Sequence, residues 1–167
     1  MKLMSILRIL LIWQAAIILV TFAAVRVLPI RGTYLGGGSK IFASFPLLYS
    51  RANFDGNHYI AISRNGYGYA QQAFFPMYPM LIGRIRNIFN PDHFWQIQVS
   101  AAIGTAISVI SFVAAAVFLV KLVEMDFGPK IAKLTLILLL AFPMSFYFTA
   151  VYTEGLFFLL LISSFYF

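Results

Sequence analysis

The sequence predicts an all-α integral membrane protein with several spanning helices. Of its 167 residues, 62% are hydrophobic and only 10% are charged, whereas a soluble domain carries about a quarter charged residues. Residues 97–120 contain no charged side chain, and this stretch exceeds the about 20 apolar residues that cross a bilayer. Cysteine is absent from the sequence, which excludes disulfides and thiolate metal sites.

We predict three complete spans and the beginning of a fourth, at residues 4–25, 97–120, 131–152 and 156–167. The first is predicted to be a retained signal anchor, because no cleavage site stands out before Arg26. Small residues such as Gly104 and Ser108 suit the second span to close helix packing. The last run ends before it could cross the bilayer, which predicts the N-terminal part of a larger protein or a truncated gene product.

The distribution of cations predicts the orientation of these spans. Lys2 and Arg8 assign the N-terminus to the cytoplasm, and the lysines of the short loop 121–130 assign that loop to the same side. Residues 26–96 then form one long extracytoplasmic loop, with residues 31–40 as an irregular connector. Because the cations flank membrane segments and form no stripe, the net charge of +7 indicates topology and not nucleic-acid binding.

One segment decides whether this topology is correct. Residues 74–82 are apolar but too short to span and are interrupted by Pro76 and Pro79. We therefore predict a short interfacial helix there. If residues 74–89 crossed the membrane instead, Asp55 and Glu154 would lie on opposite sides.

Residues 53–59 carry the strongest functional signal, a carboxylate and an imidazole in a polar pause between apolar runs. Asn53 is a predicted N-cap for a helix over 54–64, and Gly66 is its predicted stop. The helix N-terminus favours an ionised Asp55, and His58 and Tyr59 share its face. The alternative is that Asp55 merely caps a surface helix.

Glu154 and four arginines each allow a structural and a functional interpretation. Glu154 is either a water-exposed turn residue or a second carboxylate facing the same outward cavity as Asp55. The arginines are either membrane anchors or, for one or two of them, ligands of an anionic group such as a lipid phosphate; they are Arg51, Arg64, Arg84 and Arg86. A divalent metal is left open, because Asp55, His58, His93 and Glu154 lack ligand-like spacing beyond the first pair.

Several ordered motifs resemble the PIG-V family, the mannosyltransferases that add the second mannose of GPI anchors, together with their prokaryotic relatives. These motifs lie at residues 53–59, 61–67, 73–79, 142–143 and 150–157. The sequence departs from the usual family pattern before the aspartate, with Phe54 in place of tryptophan and Asn53 in place of arginine.

The resemblance implies a GT-C multi-span glycosyltransferase whose long first outward loop carries the essential aspartate. On that pattern Asp55 is the catalytic base of an inverting transfer, and Glu154 matches a second acidic position. His58 and Tyr59 match the family's His–aromatic pair as substrate contacts, and we add Arg51 and Arg64 as contacts for an anionic donor.

The implied donor is a polyprenyl-phosphate mannose, and the acceptor is an unidentified lipid, polymer or protein. The implied location is a multi-pass membrane position, in the plasma membrane if the source is prokaryotic, with an extracytoplasmic active site. Two alternatives remain open from the sequence. One is a transporter or channel component, and the other is a truncated, non-catalytic remnant.

Overall fold

A computed structural model describes residues 1–29 and 44–167, so the predicted connector 31–40 lies outside the described residues. Across the described part of the chain the structure is helical, without strands, which confirms an all-α protein. The α-helices are α1 (Leu3–Val27), α2 (Pro46–Tyr49), α3 (Asp55–Asn65), α4 (Met77–Phe89), α5 (Gln96–Ala141) and α6 (Glu154–Tyr166). Two 3-10 helices lie at His93–Trp95 and Pro143–Thr149.

Two of these helical segments are long and apolar enough to cross a membrane, namely Leu3–Val27 and His93–Ala141. A third is added if Pro143–Thr149 and Glu154–Tyr166, which meet at an angle of 91°, form one broken span. The prediction of a membrane protein with spanning helices is therefore confirmed.

The range α5 contains two helices that meet at a kink, and only part of the predicted loop 121–130 is helical. Residues 121–127 continue the first helix, and Gly128, at φ 80° and ψ 172°, separates it from the second. Polar side chains do not interrupt a helix, whereas glycine followed by Pro129 allows a sharp change of direction. The helix ends at Ala141, eleven residues before the predicted end at 152, because Phe142 precedes a proline and takes an extended conformation.

The N-terminal helix packs along α5. Ile6 and Leu10 are buried in a cluster with Phe112, Val120 and Leu136, and the Trp13 indole donates to the Leu140 carbonyl at 3.0 Å. At the far end, the N-terminal ammonium pairs with Glu124. The two segments that the topology assigns to the cytoplasm therefore lie at the same end of the helices.

The helix α4 begins three residues after the predicted start at 74 and extends beyond the predicted end at 82, to Phe89. Its 13 residues are about 20 Å long at 1.5 Å per residue, which is less than the about 30 Å of a bilayer core. It is not among the candidate spans. The first half of α4 packs inside the protein and not only at the membrane surface, because Tyr78 and Ile82 are fully buried.

The second core lies where α3, α4 and α5 enclose the segment 150–153. Tyr59, Tyr78 and Ile82 pack with Ala101 and Val151 in this core. Glycine makes the approach of Val151 possible, because a Cβ on Gly104 would lie 2.8 Å from the Val151 Cγ1 and one on Gly56 would lie 3.1 Å from the Val151 carbonyl oxygen. The start of α6 is thereby held against the start of α3.

Candidate active site

The site contains two carboxylates, each at the first position of a helix. Asp55 begins α3 and Glu154 begins α6, and both side chains are exposed. The unpaired amide groups at a helix N-terminus can donate hydrogen bonds to a carboxylate. Both acids therefore lie on the surface of the helix bundle, each at the start of a helix.

Three hydrogen bonds join the residues around Asp55 to those that precede Glu154. The Val151 amide donates to the Arg51 carbonyl at 2.7 Å, and the Tyr152 hydroxyl donates to the Asn53 carbonyl at 3.0 Å. The Tyr59 and Thr153 hydroxyls lie 3.4 Å apart. Two chain segments about a hundred residues apart thus form one site, with Asp55 and Glu154 close enough to interact electrostatically.

Tyr59 lies between the two acids. Burial raises the pKa of the Tyr59 phenol; the hydrogen bond with Thr153 opposes this shift, and the negative charges of Glu154 and Asp55 raise the pKa further. The phenol therefore stays protonated at neutral pH. Its hydroxyl is held by Thr153 and interacts electrostatically with both carboxylates.

Aromatic side chains of residues 73–79 pack against His58 and Tyr59. The exposed His58 ring stacks on Phe74 with centroids 4.8 Å apart, and Tyr59 meets Phe74 and Tyr78 edge-on at 5.2 Å each. His58 Nδ1 lies 3.2 Å from the Gln71 amide nitrogen, which can only donate, so Nδ1 accepts and the neutral ring carries its proton on Nε2.

Buried hydrogen bonds of two hydroxyl groups connect α4, α5 and the segment before α6. The Tyr78 hydroxyl lies 2.7 Å from the Ser108 hydroxyl and 2.8 Å from the Gly104 carbonyl. Ser108 in turn donates to the Tyr152 carbonyl at 3.1 Å. Sequence reasoning assigned Gly104 and Ser108 only to helix packing, because nothing in the local pattern shows which chain segment they contact.

The residue before Asp55 has an unusual backbone conformation. Phe54 has φ 50° and ψ −117°, and the Gly56 amide donates to the Asn53 carbonyl at 2.9 Å across it. The predicted cap at Asn53 is wrong, because this turn makes Phe54 the N-cap and α3 begins without a side-chain cap. A non-glycine residue at such angles costs of order 1–3 kcal/mol, and such strain is common at functional sites.

The backbone carbonyl of Arg51 accepts the hydrogen bond from Val151, and its side chain has partners of its own. Its guanidinium donates to the Thr149 carbonyl at 3.3 Å. With the Gln14 amide turned so that its oxygen faces Arg51, that oxygen accepts from both terminal nitrogens at 2.8 and 2.5 Å. Burial lowers the pKa of Arg51. Because these acceptors are neutral, they do not compensate its positive charge.

A cavity of about 490 Å³ opens beside Arg51. It lies between α1, the end of α5 and residues 143–150. Most of its wall is apolar, including Trp13, Ile17, Val20 and Leu140, whereas Arg51, Ser50 and Ser145 are polar. The cavity therefore combines an apolar wall with one cation.

The remaining candidates are not gathered at this site. Arg64 lies nine residues after Asp55 in α3, about 14 Å along the helix axis, and its Nε donates to the Gln96 side chain at 3.5 Å. Among residues 1–29 and 44–167, no group of three histidine, aspartate or glutamate side chains could hold a metal ion. A divalent metal stays an untested prediction, since Mg²⁺ binds through as few as one or two carboxylates together with substrate phosphates.

Comparison with known proteins gives one match. A family model described as Mannosyltransferase (PIG-V) matches residues 40–167. No curated protein matches the chain, and no solved structure does. The matched range includes both carboxylates, Arg51 and the aromatic residues around Tyr59.

Replacement of Phe54 by glycine tests the strain before Asp55. We expect Phe54→Gly to be about 1 kcal/mol more stable than Phe54→Ala, because relief of 1–3 kcal/mol of strain exceeds the about 0.4–1 kcal/mol that glycine adds to unfolded-chain entropy. Both variants lose the ring, which is 49% exposed, so their difference isolates the backbone. Thermal unfolding in detergent measures it, and equal stability of the two variants would contradict the strain.

Proposed function

Because this chain belongs to the mannosyltransferase (PIG-V) family, we propose that it transfers mannose from a polyprenyl-phosphate donor to an acceptor hydroxyl, with Asp55 as the base. Membership of the family supports the transfer of mannose. The proposed donor and the proposed base are argued from the chemistry of the residues around Asp55 and Arg51.

The pairing of Asp55 with Glu154 at two helix N-termini carries the proposal. Their common neighbour Tyr59 interacts with both charges. Within the described residues, the Asp55 side chain has no ion pair and is exposed, so it is accessible to an incoming hydroxyl. An accessible carboxylate can act as a general base towards a hydroxyl group.

The proposed reaction is a single displacement at the anomeric carbon. The acceptor oxygen forms a bond to that carbon while Asp55 takes the hydroxyl proton. The bond between the anomeric carbon and the phosphate oxygen breaks, and polyprenyl phosphate leaves with the electron pair. A phosphate leaves as an anion without protonation, so one base suffices, and direct displacement inverts the anomeric configuration.

Glu154, Tyr59 and His58 are proposed to position the sugars. Glu154 can accept hydrogen bonds from acceptor hydroxyls, whereas the protonated phenol of Tyr59 can donate one. His58 Nε2–H is a second donor on the exposed face of α3. Donors and acceptors side by side are what a polyhydroxylated substrate requires.

Arg51 and its cavity are proposed to bind the lipid part of the donor. A guanidinium forms strong hydrogen bonds to phosphate oxygens, and Arg51 has neutral partners only. The apolar wall formed by α1 and the end of α5 suits an isoprenoid chain. The Val151 amide donates to the Arg51 backbone carbonyl, which holds the backbone of Arg51 against the segment that precedes Glu154.

An extracytoplasmic active site is proposed from the ends of the helices. Positive residues assign the N-terminus to the cytoplasm, and the N-terminal ammonium pairs with Glu124. Ser108, which bonds Tyr152 near the site, is sixteen residues before Glu124 in α5, or about 24 Å along the helix. The alternative of a transporter or channel component is less well supported, since the family match is to a transferase.

Neutralisation of Asp55 tests the assignment of the base. We expect Asp55→Asn to lower transfer of labelled mannose from polyprenyl-phosphate mannose by about 10²–10⁴-fold, the usual contribution of a general base. The assay uses membranes that contain the full chain, at equal protein levels. Asp92→Asn is the matched control, because Asp92 is exposed and lies outside the site. Equal activity of Asp55→Asn and wild type would exclude Asp55 as the base, and an inactive wild type would contradict the donor.

Replacement of Arg51 tests the donor site separately. We expect Arg51→Gln to raise the KM for the polyprenyl-phosphate donor by about tenfold or more, because a hydrogen bond to a charged group is worth about 1.5–3 kcal/mol. Arg51→Lys keeps the charge and should retain part of the affinity. Steady-state kinetics with varied donor concentration measure the effect. An unchanged KM in Arg51→Gln would mean that the phosphate binds elsewhere.

A further inference from the structure

Arg86, on α4, is a buried cation with an unused donor. Arg86 is only 8% exposed to solvent. One terminal nitrogen, Nη2, donates to the Asn87 side chain at 2.9 Å, whereas the buried Nη1 has no hydrogen-bond partner. A buried charged donor without an acceptor is costly and rare in proteins. Its presence indicates a group that binds there.

The positive charge of Arg64 acts on Arg86, which increases the free-energy cost of burying the Arg86 guanidinium without an acceptor. Burial lowers the pKa of Arg86, and the positive charge of Arg64 lowers it further. Arg64 reaches across from α3 and is half-exposed, held by the long hydrogen bond to Gln96 at 3.5 Å. Two guanidinium groups close together repel each other unless an anion lies between them.

The chain offers no carboxylate for these cations. Within the described residues, the one ion pair joins the N-terminus to Glu124, and Asp92, the nearest acid in sequence to Arg86, does not pair with it. Residues 30–43, outside the described part, contain neither aspartate nor glutamate. Within residues 1–167, no carboxylate is therefore paired with these cations, which leaves Arg86 Nη1 free to bind an added anion.

The apolar surface next to Arg86 indicates the source of that anion. Four large exposed side chains follow it at the end of α4 and in the next 3-10 helix, namely Ile88, Phe89, Phe94 and Trp95. Exposed aromatic residues of this kind are typical of the membrane–water interface. An arginine beside them lies at the level of lipid headgroups, where phosphate is the prevalent anion.

We propose that Arg64 and Arg86 bind the phosphate of an anionic phospholipid headgroup. Arg86 Nη1 and the Arg64 guanidinium supply donors to two phosphate oxygens, and the half-exposed Arg64 side chain turns aside to admit them. The acyl chains lie against the apolar side chains that follow Arg86. Arg64 is about 14 Å from Asp55 along the axis of α3, and the proposed function gives no role to Arg64 or Arg86.

Lipid titration of the purified full chain tests this site. The protein is prepared in a zwitterionic detergent, and binding of phosphatidylglycerol, phosphatidylcholine and inorganic phosphate is measured by native mass spectrometry. We expect wild type to bind phosphatidylglycerol more tightly than either other probe. Arg86→Gln and Arg64→Gln should each raise its Kd about ten- to hundredfold, as expected for a lost charged hydrogen bond.

The control is Arg84→Gln, since Arg84 is an exposed cation on the same helix and should leave the Kd unchanged. Equal affinity of Arg86→Gln or Arg64→Gln and wild type would overturn the proposal. Equal affinity for inorganic phosphate would overturn the lipid and leave a free anion. If Arg86→Gln does not fold, the half-exposed Arg64 still decides the outcome. Asp55→Asn should bind lipid as wild type does, which separates this site from the transfer reaction.

Discussion

The hydrogen bond from the Val151 amide to the Arg51 carbonyl, 2.7 Å long, is the constraint on which the rest of the site depends. It holds residues 150–153 between α3 and α5, in a space that only glycine permits. A Cβ on Gly155 would lie 2.5 Å from the Phe148 carbonyl oxygen and 2.8 Å from that of Ser108. Because an added Cβ would meet backbone atoms, which cannot turn aside as a side chain can, the approach of α6 to α5 requires glycine at position 155.

Two different surfaces lie on either side of this hydrogen bond. On one side, the N-termini of α3 and α6 present Asp55 and Glu154 around the Tyr59 phenol, which gives a polar surface suited to sugar hydroxyls. On the other side, Arg51 borders an apolar cavity between α1 and α5, which gives a surface suited to a lipid phosphate. The proposed transfer of mannose from a lipid phosphate needs both surfaces within reach of one anomeric carbon. The hydrogen bond from the Val151 amide to the Arg51 carbonyl joins the chain segments that carry the two surfaces.

Local signals predicted some of these features and missed those that depend on tertiary contacts. The helix predicted at 54–64 is observed at Asp55–Asn65, since Gly66, with φ 78°, is a strong local stop. Residues 121–127 of the predicted loop are helical, because charge patterns indicate polarity but not backbone angles, and Gly128 alone departs from helical angles. Asp55 and Glu154 are both predicted from the sequence, which leaves open whether Glu154 faces the same cavity as Asp55, because their proximity depends on contacts of Val151 and Tyr152 with distant residues. The burial of Arg86 was equally invisible, since its neighbours in sequence are ordinary interfacial residues.

The central claim is that α3 and α6 begin side by side at one site. The chain has no cysteine, so two spin labels can be introduced without background, at His58→Cys and Phe157→Cys, both exposed positions one turn after their carboxylates. Pulsed electron paramagnetic resonance on the full chain in lipid then measures the distance between them. The account predicts a distance well below the about 30 Å thickness of a bilayer core. A distance at or above that thickness would put Asp55 and Glu154 on opposite sides of the membrane and contradict the account.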